Sequence, residues 1–110
     1  MANTFYRKTL ANVGLIANTV GSYTVGGGVT SVVLGLSICN TSGASVSASA
    51  FIANGISLTY LVKSAPISAG GTLVVIGGDQ KIVLQTNDNV KIVSDTVNSL
   101  DAVMSIMEIT

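Results

Sequence analysis

The chain has 110 residues, of which 48% are hydrophobic and only 9% are charged. Five Lys and Arg balance five Asp and Glu, and the chain contains no His, no Trp and a single Cys. This length limits the chain to one domain. The high hydrophobicity excludes a disordered chain, the few balanced charges exclude a nucleic-acid surface, and one Cys excludes a disulfide scaffold.

The charges are unevenly distributed along the chain. Residues 9–62, which we call the neutral block, contain no Lys, Arg, Asp or Glu, and all five acids lie in the last third. A soluble domain usually covers roughly a quarter to a third of its surface with charged residues. The outer surface of the neutral block is therefore either covered by Ser, Thr and Asn or buried against other subunits.

A membrane protein is the main rival class for a chain of this composition. The most apolar stretch, residues 29–39, is about half the length of a spanning helix. The N-terminus lacks the apolar core of a signal peptide, and the chain is short for an eight-stranded transmembrane barrel. We therefore expect a soluble, non-secreted protein that does not bind membranes.

Large apolar residues alternate with small or polar ones along most of the chain, which is typical of half-buried strands. Turn residues separate these segments at short, even spacing. The predicted strands are residues 31–40, 44–52, 56–63, 73–76, 81–85, 90–93 and 102–109. The pattern predicts an all-β fold, an antiparallel, jelly-roll-like β-sandwich of about eight strands. We expect residues 1–110 to form this single domain, with a short flexible N-terminal segment at residues 1–3.

Strand parity gives more detailed expectations. In the first predicted strand the even positions from Val32 to Ile38 are expected to face the core. A three-residue loop at 53–55, with Gly55 in the left-handed conformation, pairs Ile52 with Ile56 and matches the apolar faces of the hairpin. The same parity puts Phe51 on the outer face, either as an exposed contact residue or within a second buried face. Residues 102–109 are apolar on both faces, which predicts a central strand or one at a subunit contact.

Catalytic and ligand-binding motifs are poorly represented. Without His there is no His-based triad or general base, and Cys39 lies in an apolar strand with no nearby charge to activate its thiol. The glycine clusters at 26–28 and 77–78 lack the residues that follow a phosphate-binding loop. Asn87–Asn89 is interpreted as a turn rather than a calcium loop. We therefore expect no enzymatic activity, no cofactor and no metal site.

Four segments resemble small virion structural proteins of tailed bacteriophages, especially those of marine and cyanobacterial phages. These segments are residues 1–8 (MANTFYRK), 33–41 (VLGLSICNT), 61–71 (LVKSAPISAGG) and 102–110 (AVMSIMEIT). The resemblance covers most of the chain and rests on turns and strands rather than on chemical signatures. It implies a structural role on the capsid or the tail, and it transfers no catalytic residues.

Together these observations predict a virion protein, assembled in the host cytoplasm, that self-associates and binds a larger virion protein such as a major capsid or tail protein. The preferred role is capsid decoration or cement, by a homo-oligomer such as a trimer. The alternatives are a tail, baseplate or fibre-attachment protein, and a carbohydrate- or receptor-binding module that would use Tyr23 and Tyr60. The candidate interface residues are Phe51, Phe5, Tyr6, Val33, Met107 and Ile109.

Overall fold

The computed structural model describes residues 3–110, and it is built almost entirely from β-strands. Within this range the nine strands are β1 Asn3–Val13, β2 Asn18–Thr19, β3 Thr30–Asn40, β4 Val46–Asn54, β5 Ser57–Ile67, β6 Thr72–Ile76, β7 Ile82–Leu84, β8 Asn89–Ser94 and β9 Leu100–Ile109. A short 3₁₀ turn, Val20–Ser22, follows β2. The prediction of an all-β chain is confirmed.

The strands form two antiparallel sheets that pack face to face. Sheet A has the order β1-β9-β3-β6, with β7 also paired to β3, and sheet B has the order β2-β8-β4-β5. The chain crosses between the sheets from β1 to β2, from β2 to β3, from β3 to β4 and from β5 to β6, and it crosses again before β8 and before β9. This is the connectivity of a jelly roll, in which β6 and β7 together occupy one strand position.

The core lies between the central strands of the two sheets. Sheet A contributes large side chains, among them Leu36 and Met104, and sheet B contributes Ala48, Ala50 and Ile92, all of them 0% exposed. Small residues on one sheet opposite large ones on the other allow the two inner faces to interdigitate without voids.

The first and last strands lie side by side in sheet A. β9 pairs with β1 on one side and β3 on the other, which confirms the predicted central position of residues 102–109. The long edge strand β1 was not predicted, because its residues lack clean alternation. Asn3 already belongs to β1 and lies opposite Ile109. Met1 and Ala2, the rest of the predicted flexible segment, lie outside the described residues.

A β-bulge reverses the predicted parity in the first half of β3. The pairing of β3 with β9 shifts between Val33 and Gly35. Ser31 and Val33 therefore face the core and Val32 faces outward, whereas Leu36 and Ile38 face the core as predicted. The prediction for Val32 and Leu34 was wrong because an added residue flips every side chain on one side of it. Gly35 is the sequence signal of this bulge.

The predicted register of the β4–β5 hairpin was also wrong. The loop contains two residues, Gly55 and Ile56, so that Asn54 lies opposite Ser57 and Ile52 opposite Thr59. Gly55 has a φ of 60°, as expected, and it occupies the first loop position of the hairpin. The matching of apolar faces failed because β5 is an edge strand whose first half does not cover the core. Leu58 and its neighbours are largely exposed there.

The strands lie along the long dimension of the molecule, because a strand of eleven residues spans about 36 Å and the molecule measures 46 × 29 × 20 Å. The loops therefore collect at two ends. The first pole contains the β1–β2, β3–β4, β5–β6 and β8–β9 loops. The second pole contains the β2–β3, β4–β5 and β7–β8 loops. The β4–β8 register fixes this assignment, because Ala48 lies opposite Ser94 and Ala53 opposite Asn89.

The bulge makes a prediction for two adjacent valines of β3. Val33→Ala is expected to lower the free energy of unfolding by about 1.5–3 kcal/mol, because it removes buried methyl groups and leaves a cavity. Val32→Ala, on the outer face of the same strand, is expected to cost less than about 1 kcal/mol. Urea denaturation of the two variants measures both values. A larger loss for Val32→Ala would contradict the observed register.

Candidate functional site

Three of the six candidate interface residues share the outer face of sheet A. Phe5 on β1 lies opposite Met107 on β9, and Ile109 follows on the same face of β9. Phe5 is 67% exposed, whereas the two β9 residues are partly buried. The structure thus brings these three candidates together on one surface.

The pairing registers extend this surface into a continuous apolar row. Met107 also lies opposite Val32 on β3, and Val32 lies opposite Val83 on β7. We call Phe5, Met107, Val32 and Val83 the outer row. It crosses four strands, about 14 Å from first to last at the usual strand spacing. Val83 is 58% exposed. Side chains directly opposite one another on neighbouring strands are in contact distance, so the row presents one apolar strip to solvent.

The other three candidates do not lie on the outer face of sheet A. Tyr6 lies on the inner side of β1 opposite Ile106, near the edge of the sandwich, and is 43% exposed. Val33 is completely buried in the core because of the bulge in β3, so it does not offer a surface. Phe51 lies on the outer face of sheet B, as parity predicts. It is only 5% exposed, however, because it pairs with Tyr60, whose ring centroid lies 5.1 Å away.

Sequence reasoning missed a polar cluster on the inner side of β1. The Lys8 ammonium lies between two aromatic rings, 5.1 Å from the centroid of Tyr6 and 5.2 Å from that of Tyr23. The Tyr23 hydroxyl donates a 2.6 Å hydrogen bond to Glu108. Gly21 has a φ of 60° and packs on the Lys8 stem, where an added Cβ would lie 2.7 Å from the Lys8 Cβ. The cluster was not predictable because its members come from three segments that are far apart in the sequence.

Burial and the nearby carboxylate change the acidity of the buried tyrosine. Desolvation is the main cause and the Glu108 hydrogen bond the second, and together they raise the pKa of Tyr23 to about 12. Both causes favour the neutral phenol, since the anion would lose hydration and face a carboxylate. The cluster is therefore an internally satisfied network that fastens the edge strand β1 to the 3₁₀ turn and β9.

The remaining candidates for chemistry are placed in structural roles. Cys39 is a free, partly buried thiol on β3. Asp88 accepts hydrogen bonds from the Asn54 side chain and the Gln85 backbone, and so closes the β7–β8 turn. Backbone and side-chain donors of Ser47 and Thr96 hold the pKa of Asp95 below its usual value. Across residues 3–110 no three His, Cys, Asp or Glu side chains are grouped as a metal site would require.

A polar pocket of about 370 Å³ lies between β1 and β2, and its lining includes Leu10, Asn18, Thr19, Ser22 and Thr24. Carbohydrate sites usually add an aromatic ring on which a sugar stacks. Tyr23 is buried and hydrogen-bonded to Glu108, whereas Tyr60 lies on sheet B beside the Phe51 ring. The two tyrosines therefore do not form one surface on which a sugar could stack. Within the described part of the chain, no helix is long and apolar enough to cross a membrane.

The Tyr23–Glu108 hydrogen bond predicts a stability loss at alkaline pH. The folded pKa of about 12 lies above the unfolded value near 10. The contribution of this group is therefore complete below pH 10 and is lost as the pH rises towards 12, because only the unfolded state releases the proton there. Urea denaturation between pH 9 and 11.5 is expected to show a steeper fall for the wild type than for Tyr23→Phe. Equal slopes would contradict the assignment.

No protein-family model matches the sequence. No curated protein matches it either. The fold, by contrast, is shared with solved structures. A subunit of the Bacillus endospore appendages, which are disulfide-linked pili, has a TM-score of 0.53 at 13% identity, and the match covers 100% of this chain and 91% of that subunit.

Viral particles supply the other similar structures. A chain of the T13 particle of infectious bursal disease virus has a TM-score of 0.58 at 9% identity, covering 96% of this chain but 30% of the viral one. A pentameric capsid protein from metagenomic phage sequences has a TM-score of 0.45 at 18% identity, covering 94% of this chain and 59% of that one. At these identities the likeness establishes the fold, which is a β-sandwich also used by proteins that assemble into particles and pili.

Proposed function

We propose that this chain is a structural subunit of a viral particle and that it acts by self-association and by binding a larger particle surface. The observation that carries the proposal is the outer row, an apolar strip on the open face of a sheet in a chain with few charges. Exposed apolar strips of this kind are typical of protein interfaces. The fold supports the proposal, since the pilus subunit and the bursal disease virus chain that share it are parts of assemblies.

The outer row explains how such a subunit would associate. Phe5 and Val83 at the two ends are more than half exposed, and Met107 and Val32 between them are partly buried. Covering this strip removes apolar area from water at about 25 cal/mol per Å². No acid lies in the row, so few carboxylates lose their hydration when it is covered.

Within this role, capsid decoration or cement of a tailed phage is the proposed position. A compact jelly roll that is added in many copies needs one adhesive face and little chemistry. The alternative is a tail, baseplate or fibre-attachment position, for which the same surface would serve. The resemblance of the sequence segments to phage virion proteins supports both positions equally.

Self-association is the first expected outcome. Sedimentation velocity at tens of micromolar protein is expected to give oligomers for the wild type. Val83→Asp introduces a charge into the outer row and is expected to shift the population towards monomer. Thr59→Asp, at an exposed position on the opposite sheet, is the matched control and is expected to behave as the wild type. A wild-type monomer at this concentration would overturn the proposed self-association.

The position on the particle is tested by imaging. A cryo-electron microscopy map of the virion that carries this chain is expected to show jelly-roll density on the head lattice, with sheet A against the underlying protein. Density on the tail instead would reject decoration in favour of the tail alternative. A glycan-binding screen with the purified protein separates the third possibility, and a saturable signal there would favour a receptor-binding module.

A further inference from the structure

The most exposed large apolar side chain among the described residues is at the second pole. Ile56 occupies the second position of the two-residue β4–β5 turn and is completely exposed, at 102% of its reference area. Turn positions usually carry Gly, Asn, Asp or Ser, because these residues suit the backbone and remain hydrated. The Ile56 side chain projects from the end of the molecule and buries no apolar area, so it adds no hydrophobic stabilisation to the monomer.

An apolar pocket lies at the first pole. It has a volume of about 340 Å³ and is lined by Gly14, Leu15, Ile16, Asn18 and Val97 from the β1–β2 and β8–β9 loops. The three aliphatic residues of this lining are 60–77% exposed. Backbone bonds hold the two loops together, since Ser94 and Ser99 donate to Gly14 and Val13 respectively. The pocket is therefore a shallow, open apolar depression between two loops that hydrogen bonds join.

The exposed Ile56 side chain and the apolar pocket lie at opposite ends of the same molecule. Ile56 follows Asn54 at one end of β4, whereas the β8–β9 loop reaches Ser47 at the other end, where the backbone of Asp95 donates to its carbonyl. About seven residues of strand separate these ends, or roughly 23 Å. One copy therefore cannot fill its own pocket, but a second copy in the same orientation brings its Ile56 to it.

The loops at both poles contain few ionisable side chains. The four loops of the first pole contain one ionisable side chain, Asp95, and the three loops of the second contain one acid, Asp88. Each of these carboxylates already accepts hydrogen bonds from its own molecule. All five Lys and Arg belong to the strands and to the segment between β6 and β7. Contact between these loops therefore buries few charged side chains, which lowers its desolvation cost.

We propose that copies of this chain associate head to tail, with Ile56 of one subunit inserted into the pocket of Leu15, Ile16 and Val97 on the next. This inference rests on the proposed function, because it specifies a second contact by which the subunits assemble. Such a contact is heterologous, so it builds rings or open rows rather than a closed pair. The end of the molecule, 29 by 20 Å, offers roughly 600 Å² per partner, less than the usual ~800 Å². The contact is weak alone and cooperates with the outer row.

Cysteine cross-linking tests the geometry directly. In a Cys39→Ser background, Ile56→Cys and Val97→Cys are made separately and oxidised by air with a copper–phenanthroline catalyst. Head-to-tail contact predicts little cross-linking of either variant alone, dimers when the two are mixed, and a ladder of larger species for the double variant. Both positions are exposed, so folding is expected to be unaffected. Dimers of the Ile56→Cys variant alone, formed as fast as in the mixture, would overturn the proposal.

A second measurement separates this contact from the outer row. Ile56→Asp places a charge against the apolar pocket and is expected to weaken the pole contact roughly ten- to a hundredfold. Sedimentation velocity should then show shorter assemblies for Ile56→Asp. For Val83→Asp it should show an independent shift of the population towards monomer. Wild-type assembly with an unchanged Ile56→Asp would reject the pole contact and leave the proposed function standing. A wild-type monomer, with no enhanced cross-linking in the mixture, would reject both.

Discussion

The packing of the two central strand pairs against each other is the interaction on which the rest of the molecule depends. β3 and β9 in sheet A face β4 and β8 in sheet B, and most of their inward side chains are buried. Sheet B supplies small residues such as Ala48 and Ala50, and sheet A supplies bulky ones such as Leu36, Met104 and Ile106. This apolar contact holds a chain that has few charges with which to form ion pairs. Because the inner faces of the central strands are buried in the core, the surfaces that can contact other molecules are the sheet edges, the outer faces and the poles.

The outer face of sheet A follows directly from the order of the strands. β9 lies between β1 and β3, so Met107 joins Phe5 on one side and Val32 on the other. The bulge at Gly35 is what turns Val32 outward and Val33 inward. A single extra residue therefore determines both a core position and a surface position. The register of β3 against β9 therefore determines both the apolar strip and this part of the core.

The polar residues are used mainly to secure the molecule rather than to bind ligands. Lys8 points inward from an edge strand and is held between Tyr6 and Tyr23, and an inward charge of this kind also discourages the edge from pairing freely. Glu108 binds Tyr23, and Asp88 and Asp95 close turns. With these three acids engaged inside the molecule, the pole loops and the outer row remain as surfaces with exposed apolar side chains.

The amino-acid sequence by itself determined the class of fold, the positions of most strands and the central place of residues 102–109. These features depend on local alternation and turn chemistry, which are visible in one dimension. Only the tertiary structure decided which face each strand presents, because bulges in β3 and the edge position of β5 change the parity without a strong local signal. It also decided which distant residues meet. Phe51 was expected either as a contact residue or within a second buried face, and Tyr60 covers it. The apolar strip joins the candidates Phe5 and Met107 to Val32 and Val83, which sequence reasoning did not single out.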